Sequence, residues 1–157
     1  MDEALVRRGV EDLLAAYAEC IDEDRLEEWP DFFVEDCRYR ITSRADHEAG
    51  LPHGVVYAAS RGMLSDRITA LRQANLFEPH NYRHIIGPIR IKSIKDGVAE
   101  VVSHFFAVRI MHDGDTTLFA TGRTLDRIAV AQPPYRFIER LVVLDSHKID
   151  TLLVIPL

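Results

Sequence analysis

Residues 96–130 read DGVAEVVSHFFAVRIMHDGDTTLFATGRTLDRIAV, and this stretch decides the architecture. Asp96-Gly97 and Asp113-Gly114 are dipeptides that tight hairpins favour, because such turns demand a positive φ that glycine adopts without strain. Around them lie two long runs rich in β-branched and aromatic residues, 98–111 and 116–130, which read as paired strands. Upstream, 82–94 is a third β-rich run, interrupted by Gly87-Pro88 in the manner of a bulge or an edge position. Downstream, Pro133-Pro134 turns the chain into a fourth run, 135–145, and 151–157 forms a final apolar tail. The second half is therefore a meander of long antiparallel strands.

The first half has a different period. Val6, Val10, Leu13, Leu14, Tyr17 and Ile21 recur at spacings of three and four, one buried face of a helix that Asp22-Glu23-Asp24 ends. Trp29-Pro30 followed by Phe32-Phe33 reads as a short second helix or turn that plugs a core, and 37–41 alternates apolar and polar as a half-buried strand does. From 42 to 60 no period survives, which predicts a long loop of the kind used as a lid, a binding loop or an interface arm. Leu64, Ile68, Leu71 and Asn75 mark another helix, with Ser60 as its cap and Pro79 as its stop. Helices first and strands after give an α+β class, with the N-terminal helices packed in a curved antiparallel sheet and residues 1–157 forming one domain.

Composition excludes several classes. The chain is 47% apolar and 28% charged, enough to bury a core and too apolar for disorder. No stretch approaches the ~18 apolar residues of a membrane helix, and MDEALVRRG lacks the apolar block of a secretion signal, so a cytoplasmic protein is expected. The net charge is −6, and residues 1–36 hold thirteen acids against Arg7, Arg8 and Arg25, leaving that segment at −10 and the rest at +4. A nucleic-acid binder needs a strong basic face, which this distribution argues against. Sixteen of the nineteen cations are Arg, a residue suited to bidentate pairing at subunit contacts.

The motifs that carry chemistry are missing. His80-x3-His84 is the one close histidine pair, and within a strand its rings would lie about 13 Å apart at ~3.3 Å per residue, too far to share one ion. His84 reads instead as a hydrogen-bonded structural histidine or an interface residue. Cys20 and Cys37 fit neither a disulfide scaffold nor the Cys-x-His and Cys-x-x-His elements of a Rieske centre. There is no G-x-G-x-x-G and no G-x-S-x-G. What remains is a cone-shaped pocket for proton transfer, for which Tyr17, Tyr39, Tyr57, His84, Asp36 and His104 are the available residue types. That pocket would suit a stand-alone isomerase or dehydratase.

Four ordered blocks carry a resemblance. They are 27–39 (EEWPDFFVEDCRY), 64–72 (LSDRITALR), 82–87 (YRHIIG) and 150–157 (DTLLVIPL). Together they resemble the small (beta) subunit of Rieske-type aromatic-ring-hydroxylating dioxygenases, and most of all the subunits of terephthalate-type enzymes acting on aromatic carboxylic acids. The resemblance implies a nuclear-transport-factor-like or ketosteroid-isomerase-like cone and a hetero-hexamer of three large and three small chains, the small ones associating as a trimer. It implies that the large (alpha) chain carries the Rieske 2Fe-2S cluster, the mononuclear non-haem iron and the substrate pocket. This chain would hold no cofactor, no metal and no catalytic residue. Electrons would come from NADH through a reductase, in some systems via a ferredoxin, and the whole enzyme would cis-dihydroxylate its aromatic substrate with O2. The charged set Asp66, Arg67, Arg72, Arg83 and His84, beside the 42–60 segment, is the expected interface, either ordering that loop or docking the large chain.

Overall fold

The structure is a computed structural model that describes residues 1–52, 54–74, 78–148 and 155–157. Helix α1 spans Glu3–Asp22, begun by Asp2, whose carboxylate accepts from the Ala4 N–H (2.9 Å), and ended by the Glu23 and Asp24 amides bonding back to Glu19 and Ile21. A 3-10 helix, Leu26–Phe32, seats Trp29 and Pro30 in the core. Strand β1, Phe33–Ser43, is longer at both ends than the alternation at 37–41 suggests, and Phe33 opens it instead of closing the turn.

Residues 42–60 are not the plain loop expected from their lack of period. They hold a one-turn helix α2, Arg44–Glu48, capped by the Ser43 hydroxyl, and a short strand β2, Val56–Ala58, which pairs with β1. Both are too short for a period to register. Helix α3, Arg61–Gln73, starts where expected, with Ser60 Oγ accepting from the Met63 N–H (3.1 Å). Asn75 falls outside the described residues, as does 151–154 of the apolar tail.

The run 82–94 is two strands, β3 (His80–Ile86) and β4 (Arg90–Lys95), lying end to end along one edge of β5 (Val98–Met111). Gly87-Pro88 separates them. Asp96 and Gly97 both have positive φ (51° and 74°), as a hairpin turn requires. Strands β6 (Thr116–Ala129) and β7 (Arg136–Leu144) complete a sheet ordered β2-β1-β7-β6-β5-β3, with β4 also on β5. The class is α+β as expected, with one correction. The sheet is mixed, because β1 runs parallel to β7. No hairpin joins those two strands, so nothing local dictates their relative direction.

Two features bend the sheet round the helices. Ladder irregularities fall in every pair built on β5 or β7 except β3–β5, and bulges of this kind raise local twist. Gly122 of β6 lies so close to the Val143 carbonyl of β7 that a Cβ there would collide with backbone. Along the far edge α1 lies against β3, and Asp22 Oδ2 accepts the His84 N–H (2.8 Å), satisfying a donor that the sheet leaves unpaired. Tyr17, Trp29, Phe33, Tyr39 and Phe137 form the heart of the core, edge to face at 5.1–6.2 Å for Tyr17–Phe33, Tyr17–Phe137, Trp29–Phe33, Trp29–Tyr39 and Phe33–Tyr39.

Candidate functional site

The concave side of the sheet carries two buried polar groupings. The first runs across β5, β6 and β7. Ser103 Oγ and Thr124 Oγ1 are 2.6 Å apart, Thr124 Oγ1 donates to Asp126 Oδ2 (3.0 Å), and Arg140 Nη1 donates to the same oxygen (2.7 Å). Inward-facing residues at register partners Ser103–Thr124 and Asp126–Arg140 place this chain of bonds across neighbouring strands. The Arg140 guanidinium also lies over the rings of Tyr17 (4.3 Å) and Phe137 (4.8 Å). Burial pushes the Asp126 carboxyl up to about 6, with Arg140 and Thr124 opposing the shift. Asp126 Oδ1 and Arg140 Nε are buried without hydrogen-bond partners.

Next to this grouping the interior is closed by residues 155–157. Tyr17 Oη and Tyr39 Oη both donate to the Leu157 carbonyl (2.8 Å each), and the Leu157 N–H donates back to Tyr39 Oη (3.1 Å). Trp29 Nε1 donates to Tyr17 Oη (3.1 Å). Burial raises the pKa of both phenols, so neither hydroxyl is a ready proton donor. The cavity beside Leu157 measures about 160 Å³ and is lined by Phe119, Leu144 and their neighbours, touching neither polar grouping. Ordinary ligand pockets start at roughly 300 Å³.

The second grouping is Asp22 with His84. Asp22 Oδ1 meets His84 Nδ1 at 2.6 Å, and the side chains are 3% and 5% exposed. His84 Nε2 is buried and makes no hydrogen bond. A carboxylate orienting an imidazole is the geometry of a base with its positioning partner, but a base also needs a reacting atom within reach of its free nitrogen. Here Tyr82 and Phe105 flank the ring at 6.0 and 6.2 Å. Sequence reasoning missed Asp22 because it sits in an acidic helix end, 62 residues from its partner.

The expected pocket set does not assemble. Tyr17, Tyr39 and His84 point inward, whereas Asp36, Tyr57 and His104 are exposed. The expected interface set lies on two elements, Asp66, Arg67 and Arg72 on α3 and Arg83 and His84 on β3. Asp66 and Arg83 are exposed, on α3 and on the outer face of β3, and Arg67 is half-buried. Arg72 ties α3 to the 3-10 helix, bonding Glu27 (2.7 Å) and Asp24 (2.9 Å) and holding the Glu27 carboxyl below its usual range. His84 is committed to Asp22.

Nor does the donor set suit a metal. Cys20 donates to the Arg25 carbonyl (2.9 Å), and burial pushes its thiol up to about 11, away from the thiolate a metal requires. Among the described residues no three His, Cys, Asp or Glu side chains converge on one point, and no helix is long and apolar enough to cross a membrane.

A model of the ring hydroxylating beta subunit family matches residues 16–151. The chain belongs to that family. It is 46% identical over 143 residues to a Comamonas protein named terephthalate 1,2-dioxygenase, terminal oxygenase component subunit beta 1, covering 91% of this chain and 93% of that one. A crystal structure from Novosphingobium aromaticivorans, described as the beta subunit of an aromatic-ring-hydroxylating dioxygenase, superposes with a TM-score of 0.89 at 33% identity, covering 98% and 97% of the two chains. A second chain from that organism, described as a scytalone dehydratase, shares the fold alone (TM-score 0.70, 17% identity, 92% and 87% covered). The architecture of this beta subunit is thus the nuclear-transport-factor-like cone. Its relatives favour an oxygenase subunit over a stand-alone isomerase or dehydratase.

Proposed function

We propose that this beta subunit is the non-catalytic assembly component of a terminal oxygenase. Its partner is a large alpha chain that binds the Rieske 2Fe-2S cluster, the mononuclear non-haem iron and the substrate. The observation that carries the reading is the filled interior. Leu157 occupies the space between Tyr17 and Tyr39, and the acid–base pair Asp22–His84 does not line the cavity beside it. The assembled enzyme would add both atoms of O2 to an aromatic carboxylic acid. NADH, through a reductase or a reductase and ferredoxin, supplies the two electrons, and the product is a cis-dihydrodiol. The small chains associate as a trimer within a hexamer of three large and three small chains. Of the charged set singled out by sequence, Asp66 and Arg83 present side chains that a neighbouring chain could reach.

Co-expression with a large chain carrying both Rieske motifs tests this. The two chains are expected to co-purify in equal amounts, with all iron and all visible absorbance travelling with the large chain. Stoichiometric iron in the isolated small chain after chelation, or turnover by it alone, would overturn the proposal.

A further inference from the structure

Two phenols from different elements converge on one oxygen inside the cone. Tyr17 is on α1 and Tyr39 on β1, and each hydroxyl donates to the Leu157 carbonyl at 2.8 Å. Each also accepts one bond, Tyr17 Oη from Trp29 Nε1 and Tyr39 Oη from the Leu157 N–H (3.1 Å each). Both tyrosines are fully buried. A buried hydroxyl needs an acceptor, so this floor is built to hold a carbonyl oxygen, and the chain itself supplies one. Ile155 and Leu157, both buried, fill the apolar part of the same place.

The fit is incomplete. Beside Leu157 lies the cavity of about 160 Å³, whose walls include Phe119, Thr121 and Leu144. An apolar cavity of about 150 Å³ takes a benzene-sized molecule. The Arg140 guanidinium lies over the Tyr17 ring (4.3 Å), and its Nε is a further buried donor without a hydrogen-bond partner. Convergent donors with unfilled apolar space next to them are the makings of a small-molecule site. A segment that merely capped the core would call for neither.

We propose that the floor of the cone is a ligand site whose resident occupant is residues 155–157, and that a small apolar compound bearing one carbonyl oxygen beside an aromatic or branched group takes their place. The ligand oxygen sits where the Leu157 carbonyl does, between the two phenols. Its apolar part covers the ground of the Leu157 side chain and extends into the cavity. Tail and ligand compete, so the affinity of the full chain is reduced by the fraction of molecules whose tail is seated. Binding of this kind is independent of the assembly role and adds no chemistry to it. Burial raises the pKa of both phenols, which hold an oxygen without giving up a proton.

Acetophenone is the probe, and ethylbenzene, similar in size but without the oxygen, is its control. A chain shortened to residue 154 is expected to bind acetophenone about tenfold or more tightly than the full chain does, by calorimetry. It should bind ethylbenzene about tenfold more weakly than acetophenone, since a net hydrogen bond is worth about that factor. Adding Tyr39→Phe should cut that preference. The thermal midpoint and near-UV spectrum of the shortened chain serve as the folding control. In the full chain, hydrogen exchange is expected to show the Leu157 N–H opening without global unfolding. Acetophenone at about ten times its Kd should speed that exchange about tenfold and leave the amides of β5 and β6 unchanged. Should the shortened chain not fold, this exchange measurement decides. A folded shortened chain that takes up neither compound, or both equally, would overturn the proposal. So would a Leu157 N–H that exchanges only on global unfolding and is unmoved by acetophenone.

Discussion

Arg140→Met is expected to cost this beta subunit about 3–5 kcal/mol of stability near pH 8, and much less near pH 5. The reason is the carboxylate left behind. Asp126 is 2% exposed, its Oδ2 accepts from Arg140 and Thr124, and no other cation is bonded to it. With Arg140 present, burial already pushes the Asp126 carboxyl up to about 6, so its folded value lies above its unfolded one. A group shifted in that direction contributes stability that is full below the unfolded pKa and is lost as pH rises through the folded pKa. Removing the guanidinium drives the folded pKa higher still, so the deficit relative to wild type opens above pH 6 and closes below it. Methionine keeps most of the apolar volume against Tyr17 and Phe137 but loses the cation over their rings. Urea denaturation at the two pH values checks this. An equal deficit at both would mean that the loss is one of packing, not of charge.

Trp29→Ala is expected to cost about 3–5 kcal/mol, a large part of the ~5–15 kcal/mol that holds an ordinary domain together. Trp29 is fully buried, packs edge to face on Phe33 (5.7 Å) and Tyr39 (5.1 Å), and donates to Tyr17 Oη. Its indole therefore couples the 3-10 helix, the start of β1 and α1. It also supports the two phenols that hold Leu157. The expected signs are a lower urea midpoint and a reduced yield of complex with the large chain at fixed expression. A cost under about 1 kcal/mol would mean the interior collapses round the gap, and the filled cone would then be more plastic than its packing implies.

Long elements were legible in the chain because their signals repeat. The α1 stripe from Val6 to Ile21 and the hairpins at Asp96-Gly97 and Asp113-Gly114 each rest on local chemistry that acts within one element or one turn. What the sequence concealed is tertiary. Strand β2 is three residues long and exists because Val56 pairs with Ile41, and α2 is one turn begun by Ser43. The parallel match of β1 with β7 joins residues about a hundred positions apart with no turn between them. The same holds for the interior. His84 could be read as structural from its strand, but its partner Asp22 looks like any solvated acid until α1 is laid against β3. The Ser103–Thr124–Asp126–Arg140 chain of bonds is likewise invisible before the register of β5, β6 and β7 is known. Arg72 and Arg83 look alike in sequence, yet one is tied to Asp24 and Glu27 while the other faces outward.

On the function proposed above, this chain assembles an oxygenase and performs none of its chemistry. Among the described residues the one grouping built like a catalyst is Asp22–His84, so the most direct measurement is turnover per assembled complex with His84→Gln or Asp22→Asn in the small chain. Turnover within about twofold of wild type is expected once complexes are matched for subunit ratio and iron content. General acid–base catalysts contribute roughly 10²–10⁴-fold. A fully assembled, iron-replete complex slowed about a hundredfold by either substitution would contradict the account.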